Sequence, residues 1–406
     1  MADINTFSGG DDALPSERLI CLDIFRGLVL FLLLLGAANW DWQQHFADSH
    51  PDSWFAQFVG FQLDHAPWQG VTFWDLIQPA FMFMVGVSMP FSYLSRAHRG
   101  ERYGDLLTHA LIRSLVLIFL GIFLRSMFSE STNWTFEDVL TQIGLGYFVL
   151  FFMWRKWWRI QAITVFAVLF LYWLFFVIWK TPMEGFDWAI AAGEGWTAPL
   201  TGFEGHWNKN ANPAHGFDLW FLNEFSRPEP FMAHEGGYQT LNFVPAFVTM
   251  LIGLMAGEFL QEENRGWAIP KLLMFVGVVG ILLGVLLDAT GICPIVKRIW
   301  TPSFVLYSGG WCLLALAILY AVTELYSGWE KVGKPFIILG MNSIAVYVMA
   351  WIVAPWLNTM LKIHLSENYT GFFGDALRPF MENVITTVIV GLIAWWMYSR
   401  RIFLRI

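Results

Sequence analysis

Long apolar runs alternate with short polar connections along the chain, and the runs share one length. About 20 helical residues cross the roughly 30 Å hydrocarbon core of a bilayer. Stretches of that size lie near 20–40, 72–94, 106–125, 136–154, 160–179, 240–260, 269–288, 303–325, 336–357 and 381–399, each bounded by charge, Pro or Gly. The spacing predicts an all-α integral membrane fold, a bundle of about ten transmembrane helices. One connection breaks the pattern. Residues 180–238 are rich in Gly, Asn, Trp and His, as in Gly205-His206-Trp207-Asn208-Lys209-Asn210. A connection this long is either functional or disordered, and its many large aromatics argue for order. We read it as an ordered outer loop capping one mouth of the bundle. The polar residues 1–17 read as a disordered cytoplasmic tail, and 18–406 as a single transmembrane domain.

Composition agrees with the pattern. Of 406 residues, 56% are hydrophobic and 14% charged, whereas soluble domains carry about 25% charge. The 23 Trp suit a bilayer interface, where the ring is half apolar and half hydrogen-bonding. The net charge of −8 comes with no basic run, so nucleic acid is set aside. Cys21, Cys293 and Cys312 are odd in number and widely spaced, which predicts neither a disulfide framework nor a metal site. The tail carries Asp11, Asp12 and Glu17 instead of a basic n-region, so the first apolar run reads as an uncleaved signal-anchor.

Basic residues flanking short loops set the orientation. Arg96, Arg99 and Arg102, then Arg155, Lys156 and Arg159, then Arg265 and Lys271, Lys331 and Lys334, and finally Arg400, Arg401 and Arg405 all fall on one side of such a bundle. Both termini are therefore expected in the cytoplasm. Lys297 and Arg298 lie on the opposite side, against the bias, which marks them for function.

An ionisable residue inside a span costs roughly 2.5–3.5 kcal/mol on insertion scales, so it faces a cavity or a partner. Asp23 and Arg26 in the first span, Asp75 in the second and Arg113 in the third are such residues. Asp23 and Arg26 share a helix face near the cytoplasmic end, as does Arg113. Two readings stand: an ion pair with snorkelling arginines, or a cationic pocket for a phosphorylated ligand. His65 and Asp75 pose a similar choice. Pro67 and Gly70 between them allow the chain to fold back, so that His65 points into the bundle. There an imidazole serves as base or acyl acceptor, with Asp75 fixing its tautomer. The alternative is an interfacial histidine like His45 and His50.

Four blocks in order carry a resemblance. The first runs from Arg18 through Leu19, Leu22, Asp23 and Arg26 to Gly27. The second runs from His65, Ala66, Trp68 and Gly70 through Asp75, Leu76 and Pro79 to Gly86. The third is Trp300-Thr301-Pro302-Ser303-Phe304-Val305-Leu306, preceded by Lys297-Arg298, and the fourth Gly340-Met341-Asn342-Ser343. Weaker likeness lies at Arg113-Ser114 and over 235–257. In these blocks the chain resembles the heparan-α-glucosaminide N-acetyltransferase family of transmembrane acyltransferases, which includes bacterial members.

The resemblance implies transfer of acetyl from cytosolic acetyl-CoA, as co-substrate and without a metal, to an amino sugar or glycan on the periplasmic or lumenal side. It implies catalytic His65 oriented by Asp75. Asn39 is the nearest match, out of register, to the family's asparagine at the outer end of the first helix. Asp23, Arg26, Arg113 and Asn342 would then serve CoA, and Trp68, Lys297, Arg298 and Trp300 the acceptor. Where relatives tend to carry a Gln-Arg pair, this chain reads Thr141-Gln142-Ile143, without the positive charge. Expected partners are the sugar or glycan acceptor and membrane lipids, and the family admits a homodimer. The short stretch before the first span favours a bacterial inner membrane over a lysosome. A sugar transporter or permease, an O-acyltransferase and a catalytically silent scaffold are the competing readings.

Overall fold

The computed structural model describes residues 19–181, 187–193, 196, 199–261, 266–326 and 330–404. The expected tail 1–17, Arg18, Arg265, Arg405 and the side chain of Lys331 lie outside the described residues. Along the chain come α1 (Ile20–Ala37), two short helices α2 (Trp42–Asp48) and α3 (Trp54–Gln62), then α4 (Ile77–His98), α5 (Tyr103–Ser126), α6 (Val139–Phe151) and α7 (Trp158–Val177). The long connection holds α8 (Trp188–Ala192) and α9 (Pro213–Phe221). There follow α10 (Phe243–Leu260), α11 (Ala268–Ala289), α12 (Pro302–Tyr320), α13 (Glu330–Met341), α14 (Ser343–His364) and α15 (Arg378–Ser399). Among the described residues nine helices are long and apolar enough to cross a membrane, namely α1, α4, α5, α7, α10, α11, α12, α14 and α15, while α6 is a shorter apolar helix. The chain is an all-α, multi-pass membrane protein.

The expected ninth crossing, 336–357, is displaced. The backbone leaves helical geometry at Asn342 (φ −118°, ψ 41°), so α13 ends there and α14 is the crossing helix. Asn342 holds that break by donating to the Ile402 carbonyl at 3.0 Å and accepting from the Leu404 N–H at 3.0 Å. The side chain clamps the C-terminal tail against the start of α14.

Association of helices in lipid depends on close packing, because lipid tails are as apolar as the side chains. Glycines supply it here. A Cβ on Gly27 would lie 1.8 Å from the Phe336 carbonyl oxygen, and one on Gly340 2.2 Å from that of Asp23. The first and fourth sequence blocks thus meet where α13 lies across α1. On α4 and α10, Gly86 and Gly253 let the backbones touch in the same way. Around this core α7 and α11 turn Phe166, Phe170, Leu282 and Leu286 outward, an apolar surface suited to lipid.

One end of the bundle carries Arg96, Arg99, Lys156 and Arg400, and we call it the basic end; the other is the loop end. At the loop end the long connection is folded. The Asn212 side chain caps α9 by accepting from the N–H groups of Ala214 and His215. Trp207 and Phe176 stack, and both are buried.

Candidate active site

Two loops converge at the loop end. Gly70 adopts φ +102°, open to glycine and strained for other residues. Its N–H donates to the Ile295 carbonyl at 2.9 Å, and it pairs with Val296 in an isolated parallel bridge. The turn after His65 is thereby laid beside residues 295–300. Trp300 closes that second loop in the left-handed region (φ 48°). This juxtaposition brings Lys297 to His65 across a sequence separation of 232.

His65 Nδ1 lies 2.7 Å from Asp75 Oδ1. The Lys297 ammonium is 3.2 Å from the same oxygen and 3.1 Å from Nδ1. The second Asp75 oxygen accepts from the Ala66 N–H (3.1 Å), the Thr72 N–H (3.2 Å) and the Thr72 hydroxyl (3.1 Å). A carboxylate held by this many donors stays ionised and accepts a hydrogen bond from the Nδ1–H of His65. That assignment leaves the Nε2 lone pair for chemistry. Burial pulls the imidazole below the ordinary histidine value, and the Lys297 and Arg298 charges add to this against the opposing pull of Asp75. The ring is neutral at neutral pH.

His65 opens onto a cavity of about 440 Å³, whose wall also carries Trp40, Arg125, Glu137, His234, Lys297 and Trp351. A second cavity, of about 520 Å³, opens at the basic end and is lined by Asp23, Arg26, Arg96, Arg99, His109 and Arg113. Arg26 pairs with Asp23 at 3.5 Å and hydrogen-bonds the Ser88 hydroxyl. Arg113 lies 4.8 Å over the Tyr147 ring. Phe81 belongs to both linings, and its ring meets Tyr347 edge-on at 5.9 Å. The two chambers thus share Phe81 in their walls.

The structure brings together His65, Asp75 and Lys297 at one chamber, and Asp23, Arg26 and Arg113 at the other. Arg298 stands beside the first: it donates to the Gly236 carbonyl at 2.8 Å and lies 5.5 Å over Tyr238. Four expected site residues are placed elsewhere. Asn39 turns toward α15, donating to Glu382 at 2.8 Å, while its N–H donates to Asn383 at 2.9 Å. Asn342 is spent on the C-terminal clamp. Trp68 is buried under the loop cap, with its indole N–H on the Trp207 carbonyl at 3.0 Å. Trp300 is buried against Phe304, with its N–H toward Thr249 at 3.3 Å. Neither indole face is free for a sugar ring. The Phe, Tyr and Trp residues that do line the chamber are Trp40, Trp74, Phe81, Tyr238, Tyr347 and Trp351.

Sequence reasoning missed several wall residues. Arg96 and Arg99 counted only as topology markers, yet they extend the cationic chamber. Arg125, Glu137 and His234 drew no functional reading. The available signals were an arginine at the end otherwise poor in positive charge, and the proximity of His234 to the weakly matching 235–257 block.

No family model matches the chain. Among curated proteins it is similar to heparan-alpha-glucosaminide N-acetyltransferase of Mus musculus, at 24% identity over 96% of this chain and 61% of that protein. It is equally similar to the Homo sapiens protein of the same name, at 24% identity over 97% of this chain and 60% of that protein. The chain therefore spans less than two thirds of the length of these curated relatives. Over almost all of its length the chain is thus similar to membrane proteins named heparan-alpha-glucosaminide N-acetyltransferase.

Proposed function

We propose that the chain is an acyltransferase that moves acetyl from acetyl-CoA, bound at the basic end, to the amine of an amino sugar or glycan at the loop end. The observation that carries this is the pair of chambers meeting at Phe81, with arginines in one and a neutral, oriented His65 in the other. Acetyl-CoA's phosphates suit guanidinium groups, which bind phosphate with paired hydrogen bonds. Its thin pantetheine arm would pass Phe81 and carry the thioester to Nε2 of His65. The acetyl carbon leaves sulfur and ends on the amine nitrogen, and CoA departs as the thiol. Lys297 holds the Asp75 carboxylate and the imidazole in register. The basic end would face the cytoplasm by the positive-inside rule, in a bacterial inner membrane.

The test is acetyl transfer from labelled acetyl-CoA to glucosamine by purified protein. His65→Ala should lower it roughly 10²–10⁴-fold while the protein keeps its elution profile and its affinity for CoA. An active His65→Ala enzyme would end the proposal. The same two-chamber plan suits a sugar permease, with a closed partition between opposed vestibules. A permease moves sugar across vesicles and consumes no acetyl-CoA in detergent, so one assay separates the readings.

A further inference from the structure

The wall of the loop-end chamber that holds His65 also carries a second acid–base pair, Glu137 and His234. His234 Nδ1 accepts from the Gly236 N–H at 3.0 Å and the Tyr238 N–H at 3.4 Å. Its ring proton is therefore on Nε2, and Nε2 lies 3.8 Å from Glu137 Oε1. The strap that carries His234 is tied to the His65 site. The Tyr238 ring stacks edge-on to His234 at 5.5 Å and lies under the Lys297 ammonium at 5.9 Å.

The neighbouring carboxylate shows why Glu137 stands apart. Asp138 is consumed as the cap of α6: it accepts from the N–H groups of Leu140 (2.9 Å) and Thr141 (3.2 Å) and from the Thr141 hydroxyl (2.7 Å). Glu137 accepts from the Thr135 hydroxyl and faces the chamber. Burial raises its carboxyl above the ordinary glutamate value, against the pull of the Arg125 and Arg227 charges. A carboxylate raised in this way is a better base near neutrality.

The reaction needs such a group. His65 has one nitrogen committed to Asp75, so a single nitrogen remains. If that nitrogen engages the thioester, it cannot also take a proton from the incoming amine. We propose that Glu137, positioned by His234, is the base that deprotonates the acceptor amine, so that His65 serves the donor and Glu137 the acceptor. This rests on the acetyl-transfer reading above. His65 Nε2 attacks the thioester carbonyl, the C–S bond breaks, and its electron pair leaves on sulfur. The amine nitrogen then attacks the acetyl carbon, and the C–Nε2 pair returns to the imidazole. Before that attack the Glu137 carboxylate takes one proton from the entering ammonium and passes it to solvent; the proton lost as the amide forms goes to the freed Nε2 and from there to the CoA thiolate. The acceptor class that follows is a protonatable primary amine, as on a 2-amino sugar, in preference to a hydroxyl.

The experiment compares two acceptors with full-length protein. Glucosamine carries its nitrogen partly as ammonium at neutral pH; hydroxylamine is largely uncharged there. Glu137→Gln should lower transfer to glucosamine roughly 10²–10⁴-fold, while acetyl-CoA affinity and transfer to hydroxylamine stay near wild type. Its glucosamine rate should climb with pH toward the amine's own pKa, where the wild-type rate has already levelled. His234→Gln, which keeps a polar N–H group beside Glu137, should keep more glucosamine transfer than His234→Ala and give an independent readout if Glu137→Gln does not fold. Equal loss with both acceptors, or an unchanged glucosamine pH profile, overturns the assignment. Wild-type protein that acetylates neither acceptor removes the acetyl-transfer reading, and this one with it.

Discussion

His65 owes its reactivity to what surrounds it. Buried beside a lysine ammonium, the imidazole gives up its proton more readily than a free histidine, so the neutral form persists to lower pH. Sign and direction follow: the acid limb of acetyl transfer attributable to His65 should fall below the ordinary histidine value of 6.5. Lys297→Met removes the cation, and the limb should move upward in a kcat/KM profile; an unmoved limb would separate Lys297 from the imidazole. The His65–Asp75 pair was legible because it is local, joined by a Pro- and Gly-containing turn. The Lys297 contact was not, since it is made by a backbone pairing between Gly70 and Val296 that no local pattern encodes. Trp68 and Trp300 misled for a related reason. An indole's chemistry says that it seeks a hydrogen-bond acceptor and an apolar bed, and a protein carbonyl under a cap serves as well as a sugar.

Helices here are seated by what they lack. Gly27 and Gly340 allow α1 and α13 to touch backbone to backbone, so Gly27→Val should destabilise the fold by about 1–3 kcal/mol or more, seen as a lower melting temperature in detergent. Asn342→Ala leaves the Ile402 carbonyl and the Leu404 N–H without their partner, at a cost of about 1–3 kcal/mol. The same measurement checks it, and an unchanged melting temperature would show that the tail is held by other contacts. Nearly every crossing could be read from hydrophobic length, because lipid imposes that length directly. The ninth was displaced because 336–357 is almost uniformly apolar, and Asn342, which breaks it, acts through the distant C-terminal tail. Glycine motifs in the first and fourth blocks were visible as resemblance; that they form a single contact became visible only in three dimensions.

At the scale of the molecule, charge is sorted between the two chambers. Arg26, Arg96, Arg99 and Arg113 give the basic-end chamber a positive field, moderated by Asp23, which pairs with Arg26, and by Glu101, which pairs with Arg96 and Arg99. Arg113→Ala should raise the Kd for CoA about 10–100-fold, the usual worth of a lost charge-assisted hydrogen bond. CoA binding should weaken with salt in titrations, since screening acts on these partly exposed groups. An affinity indifferent to both would move the nucleotide out of this chamber.

The Phe81–Tyr347 contact has a consequence for the membrane itself. A passage wide enough for a thioester arm is wide enough for a file of water, and water files conduct protons. On the acetyl-transfer reading, two rings meeting edge-on would close that passage at rest, and a greasy substrate arm between them would keep it plugged during turnover. Phe81→Ala should therefore make proteoliposomes lose an imposed proton gradient faster than wild type, and added CoA should slow that leak.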